Sequence, residues 1–274
     1  MPKEKPELSD AMRKKLSGSS REKKPINGTK FTIAISSAKG GVGKSTFATN
    51  LALALKQNGC KVGLLDADIY GPSIPKMFGI NEKPKSDGQK LEPVIKYDIQ
   101  CMSIGFLTDE KTPMIWRGPM VTSAIKTFTQ QVNWKDLDFI IVDMPPGTGD
   151  AQLTFSQGIE MNGAIIVSTP QEVALLDVKR GIKMFDKLNV KVLGLIDNMS
   201  FFVGDDGKKY NIFGEGGVKK TAEEFNKDFL GEIPINPEIG KQGDLGLPIV
   251  EKDPQNEISK IYLDLAKKLK SIFF

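Results

Sequence analysis

The stretch FTIAISSAKGGVGKSTFATNLALALKQ, residues 31–57, decides the fold. It opens on a short apolar run, FTIAISS, of strand length. It passes through a turn with three glycines in four positions, Gly40, Gly41 and Gly43. It then enters a helical pattern in which Leu51, Leu53 and Leu55 alternate with alanines. Similar apolar runs recur downstream: KVGLLDAD (61–68), IQCMSIGF (99–106), FIIVDMP (139–145), GAIIVSTP (163–170) and VLGLIDNM (192–199). These runs are nearly continuous rather than alternating, which predicts strands buried on both faces. Helical patterns separate most of them, so the chain reads as parallel βαβ units with right-handed crossovers. The expected fold is α/β: a doubly wound, mostly parallel sheet.

The glycine-rich turn carries the chemistry. Ala38-Lys39-Gly40-Gly41-Val42-Gly43-Lys44-Ser45-Thr46 lies between a strand and a helix, which is the setting a phosphate-binding P-loop requires. Successive backbone N–H groups of such a turn converge on one concavity that fits phosphate oxygens. The helix beginning there adds about half a positive charge at its N-terminus. Lys44 is expected on the β- and γ-phosphates, and the Ser45 hydroxyl on Mg²⁺. Ala38 stands where the strict motif has glycine. The site predicted is for MgATP.

Acidic residues at other strand ends fit the same site, because ligands of open α/β sheets bind beyond the carboxyl ends of the strands. Asp143 closes the run FIIVDMP and is the second candidate for Mg²⁺, through water. Asp66 and Asp68 close KVGLLDAD. Asp68 is the candidate for orienting an attacking water, and Asp66 for supporting its own loop. An aspartate at a strand end is commonly only a turn former; two such ends beside a P-loop favour the nucleotide reading.

Bulk properties narrow the alternatives. The chain has 274 residues, 39% hydrophobic and 26% charged, and a net charge of +4. Residues 1–30 alone contribute +5, from nine Lys/Arg and four Asp/Glu, which leaves the remainder near −1. A nucleic-acid-binding core normally shows a basic excess, so no nucleic acid is expected. Residues 1–29 read as a basic, disordered tail with one helical stretch near Ala11–Leu16. Residues 30–274 read as a single ATPase domain ending in an amphipathic helix. That helix is expected to be capped by Asp253, with Pro254 in its first turn. Its apolar stripe is Ile258, Ile261, Leu265, Leu269 and Ile272. No run is long enough for stable membrane insertion. The charged N-terminus has no apolar core of a secretory signal, so the cytoplasm is expected. The absence of histidine excludes Ser-His-Asp and Cys-His catalysis. Cys60 and Cys101 form no metal pattern and read as buried structural thiols.

The loop with its extra lysine, Lys39, resembles the deviant Walker A sequence of the MinD/Mrp/ParA class. That resemblance implies a nucleotide-sandwich homodimer in which this lysine reaches the partner's phosphates. It also implies slow turnover, with Lys39, Lys44 and Asp68 carrying the reaction. More specifically, LLDADIYGPSIPKMFGI, MIWRGP, DMPPGTGDAQLT, TPQEVALLDVKRGIKMF, LGLIDNMSFF and IFGEGG occur in order from about residue 31 to 250. Together they are similar to the Mrp/ApbC family. The family implies an ATPase that binds iron–sulfur clusters and transfers them to apoprotein clients. It further implies that Gly147–Asp150 is a second switch, that Asn198 faces the adenine, and that the loop around Pro234 lines the base pocket.

One departure stands out. After the NMS block the family carries Cys-x-x-Cys, whereas this chain reads Phe202-Val203-Gly204-Asp205-Asp206-Gly207-Lys208-Lys209. Thiolates are the usual cluster ligands, and Asp-Asp-Gly reads as a turn. Two competing readings follow. One is an ATP-switched organiser like MinD or ParA, whose C-terminal helix, with Lys267, Lys268 and Lys270, would touch membrane. The other is a scaffold without enzymatic activity, which the intact loop and both acidic strand ends oppose.

Overall fold

The computed structural model describes residues 23–107 and 117–274. The stretch Ala11–Leu16, and Met114–Trp116 of the MIWRGP block, lie outside the described residues. Among the described residues one mixed sheet of nine strands organises the fold: β1 (Thr29–Ser36), β2 (Val62–Asp66), β3 (Val94–Lys96), β4 (Ile99–Ser103), β5 (Leu137–Asp143), β6 (Gly163–Ser168), β7 (Val192–Val203), β8 (Lys209–Tyr210) and β9 (Phe229–Ile235). Their spatial order is β3-β4-β2-β5-β1-β6-β7-β8, with β9 also paired to β7. The pairs β4–β2, β2–β5, β5–β1, β1–β6, β6–β7 and β7–β9 are parallel, while β3 and β8 join antiparallel. The doubly wound, mostly parallel expectation therefore holds.

The continuous apolar runs explain the layering. Along β1, Ile33 and Ile35 face one apolar cluster and Ala34 the other; along β5, Phe139 and Ile141 oppose Ile140 and Val142 in the same way. Helices α1 (Lys44–Gln57) and α9 (Glu257–Phe273) contribute Phe47, Leu51, Tyr262 and Leu265 to the first cluster. The second holds α3 (Gly118–Lys126), α4 (Asp150–Gly158), α5 (Glu172–Lys187) and α6 (Gly217–Glu224), through residues such as Ile125, Phe155, Ile182 and Val218. The short helices α2 (Ile74–Met77), α7 (Pro237–Asp244) and α8 (Ile249–Lys252) complete the chain.

Two boundaries differ from the sequence reading. The folded part begins before residue 30: Ile26 is buried in the second cluster, and the Lys24 and Asn27 amides donate to the carbonyls of Gly158 and Thr129 at 3.0 and 3.3 Å. Charge outweighed the single isoleucine in the sequence, but these backbone bonds tie the segment down. The last helix starts at Glu257, not near Pro254, because Asn256 accepts from the Ile258 amide at 2.9 Å. Asp253 instead accepts from Gln255 in the preceding turn. The stripe of α9 is buried at Ile258, Leu265 and Leu269, while Ile272 is exposed. The terminal Phe273 and Phe274 rings pack on Phe31 and Phe139 with centroids 4.7–5.8 Å apart. The apolar face of this helix is thus used inside the fold. Among the described residues no helix is long and apolar enough to cross a membrane.

Strands β3, β8 and β9 are not among the apolar runs: β3 and β8 are two or three residues long, and β9 is interrupted by Gly231, Glu232 and Pro234. Asp205 and Asp206 form the turn between β7 and β8, where the Gly204 amide donates to Lys208 and the Gly207 amide to Gly204. Cys60 and Cys101 are free thiols buried in the first cluster.

Candidate functional site

The parallel pairing brings the sequence's acidic strand ends to one place. Ile35 of β1 is in register with Asp143 of β5, and Asp143 with Asp66 of β2. The loop from Ser37 to Gly43 leaves β1 at this edge and enters α1 at Lys44. Gly41 and Gly43 take the left-handed conformation, with φ of 80° and 81°, which an L side chain adopts only under strain. Space beside Gly41 is open, whereas a Cβ on Gly43 would lie 2.3 Å from the Asn198 amide nitrogen. The loop is thus closely backed on one side and free on the other, as a backbone phosphate cradle must be.

Lys44 is almost fully buried, and its Nζ lies 2.6 Å from Asp143 Oδ1 and 3.4 Å from Asp68 Oδ2. Burial pulls the ammonium down, but Asp143 and Asp68 outweigh it and hold Lys44 above its ordinary value. Burial pushes the Asp143 carboxyl up, against Lys44 and a hydrogen bond from Ser45. Asp143 Oδ2 is buried without a hydrogen-bond partner. Asp66 is fully enclosed and raised to about 7, first by burial and then by the nearby Asp143. It accepts from the amides of Asp68 and Ile74 and from the Ser103 hydroxyl, at 3.1–3.2 Å. These bonds shape the loop that presents Asp68, which is the supporting role the sequence suggested for Asp66.

The segment Gly147–Asp150 touches the same strand end. The Gly147 amide donates to the Ser37 carbonyl at 2.9 Å. One turn into α4, the Gln152 amide donates to the Ser36 hydroxyl. Gln152 escaped the sequence reading; its only signal there is a polar residue on the helix face that carries Ala151 and Phe155 into the core.

Two further predicted positions have their own places in the fold. The Asn198 amide donates to the Val42 carbonyl at 2.7 Å, so its side chain braces the P-loop backbone. Pro234 lies within β9, not in a loop; the turn follows at Asn236, which caps α7 by accepting from Glu238. The FLGEIPI run carries Gly231 and Pro234, which argue against a strand until its parallel pairing with β7 is seen. Lys39 is exposed, in the solvent-facing part of the loop.

The residues present fit a magnesium nucleotide. The cradle has glycines where the backbone must approach phosphate, a buried lysine, a serine hydroxyl and a carboxylate oxygen with no partner, all hard oxygen and nitrogen donors. They do not fit an iron–sulfur cluster: both thiols are buried, and burial raises each. Among the described residues no three Cys, Asp or Glu side chains gather as a metal site.

Residues 28–270 match the ParA family profile described as NUBPL iron-transfer P-loop NTPase. The chain belongs to this family. An iron–sulfur cluster carrier protein of Aquifex aeolicus is 49% identical over 254 residues, covering 91% of this chain and 70% of that protein. The iron–sulfur cluster transfer protein NUBPL of Mus musculus is 49% identical over 252 residues, covering 90% and 79%. Among solved structures, a nucleotide-binding protein of Archaeoglobus fulgidus in complex with ADP has a TM-score of 0.71 at 41% identity, covering 80% of this chain and 87% of that one. The cell division ATPase MinD of Pyrococcus furiosus shares the fold, with a TM-score of 0.67 at 20% identity, covering 88% and 99%.

Proposed function

We propose that this iron-transfer P-loop NTPase hydrolyses ATP to ADP and phosphate, slowly and as a homodimer, to drive iron–sulfur cluster assembly on apoprotein clients. The observation that carries the proposal is the buried Lys44 held between Asp143 and Asp68 at the mouth of the P-loop. In it, Lys44 transfers from its carboxylates to the β- and γ-phosphates. The free backbone amides of Ala38–Thr46 take the remaining phosphate oxygens. Ser45 and Asp143 would hold Mg²⁺, which supplies neutralisation of the phosphate charge when bound. Asp68 orients the attacking water. Lys39 extends to the phosphates of the second copy. Asn198 keeps the loop in shape through Val42.

The names of the relatives support cluster transfer as the purpose. The donor set argues that this chain does not hold the cluster between its own thiolates. It acts instead on a partner that holds the cargo, in a reducing compartment such as the cytoplasm. The experiment is anaerobic maturation of an apoprotein by a cluster-loaded donor, with and without this chain and MgATP. Acceleration that needs ATP and is lost in Lys44→Ala supports the reading. Equal rates in all arms refute it.

A further inference from the structure

A polar cavity of about 170 Å³ lies on the other face of the sheet from the P-loop. Alternation along β7 sends Ile196 toward α1 and Leu195 toward the opposite cluster. Asn198 follows the first and reaches Val42; Asp197 follows the second and lines the cavity. Asp197 is only 1% exposed, and its Oδ1 has no hydrogen-bond partner. Its register partner on β9 is another carboxylate, Glu232, which lines the same cavity, with Glu215 also on the wall. An acidic pair of this kind, one member buried without a donor, is unfavourable in its charged form unless a cation joins it.

The remaining wall narrows the kind of cation. Phe201 lines the cavity, and the Lys209 ammonium lies 4.1 Å from its ring centroid. The Lys209 ammonium is engaged with this ring rather than in an ion pair with Asp197 or Glu232, so the buried Asp197 Oδ1 is left without a donor. No three acidic side chains gather there as a metal cage. A buried carboxylate, a second carboxylate beside it and an aromatic wall suit a planar or tetrahedral nitrogen cation better than a metal ion.

We propose that this cavity binds a guanidinium or primary ammonium group, with Asp197 and Glu232 accepting its N–H donors and Phe201 forming an apolar wall beside it. The group comes either from a small molecule or from an arginine or lysine side chain of a partner protein. Nothing in the nucleotide reading depends on it, and the site lies across the sheet from Lys44.

The test is a titration of the full chain, followed by amide NMR, with agmatine, with ethanol as the uncharged control, and with a blocked Gly-Arg-Gly peptide. Saturable shifts at Asp197, Lys209, Asn211 and Glu232 are expected with agmatine or the peptide, with a dissociation constant on the order of 1 mM. A peptide at least tenfold tighter than agmatine assigns the site to a partner's side chain; agmatine equal or tighter assigns it to a small molecule. Asp197→Asn weakens binding at least tenfold, and Glu232→Gln, at the exposed rim, weakens it several-fold without touching the core. The proposal is overturned if neither probe shifts these amides or if both variants bind like the parent chain.

Discussion

Lys44 Nζ sits 2.6 Å from Asp143 Oδ1, with both side chains buried, one from the first turn of α1 and the other from the last residue of β5. The pair joins the phosphate-binding element to the strand next to β1, and Asp68 closes on the same ammonium from β2's loop. Removal of one member of a buried ion pair leaves an uncompensated charge, at a cost of about 3–5 kcal/mol.

Lys44→Ala therefore abolishes ATP turnover and also lowers stability without nucleotide. Burial already raises the carboxyls of Asp143 and Asp66, and once orphaned they escape the penalty by protonation, so the loss is larger at pH 8 than at pH 5.5. Urea unfolding of parent and variant at the two pH values measures it. A loss independent of pH would contradict the electrostatic account.

Asp68→Ala separates binding from chemistry. Turnover falls by ~10²–10⁴, the usual worth of a positioned acid–base group, while affinity for ATP changes only a few-fold. Steady-state rates beside equilibrium binding of a fluorescent ATP analogue give both numbers.

Asn198→Ala removes the hydrogen bond to Val42 and leaves a buried carbonyl unpaired, which costs about 1–3 kcal/mol. The loop loosens, so the Michaelis constant for ATP rises more than the turnover number falls. An unchanged Michaelis constant would show that the brace is dispensable.

Asp197 governs a pH dependence. Burial first, and Glu232 second, push its carboxyl up to about 7. The unfolded carboxyl titrates near ~3.9, so between these values the folded chain keeps a proton that the unfolded chain has released. Stability accordingly falls as pH rises through this window, and the loss is complete above it. Asp197→Asn flattens the slope and gains on the order of 1 kcal/mol at pH 8. A residual slope persists from Asp66, also raised to about 7. Thermal denaturation from pH 4.5 to 8 reads the difference.

Removing Phe273 and Phe274 destabilises the chain by about 2–4 kcal/mol, because their rings cover Phe31 and Phe139. Sedimentation with anionic liposomes and ATP is expected to be absent in the full chain. Pelleting of the full chain, lost on truncation, would instead favour a membrane role for α9.

Residues 31–57 alone determined the P-loop, its strand and its helix, because turn chemistry and apolar periodicity are local properties of the chain. The continuous runs determined a sheet covered on both faces, and the strand-end aspartates pointed to one edge for the same reason. The sequence could not show that Asp143 and Asp68 both reach Lys44, since that depends on parallel register between strands far apart in the chain. Nor could it show that Asn198 turns to Val42 while Asp197 turns to an acidic cavity. One residue of strand alternation separates those two fates, and only the neighbours supplied by the tertiary structure, the P-loop on one face and β9 with the β8 turn on the other, decide what each side chain meets.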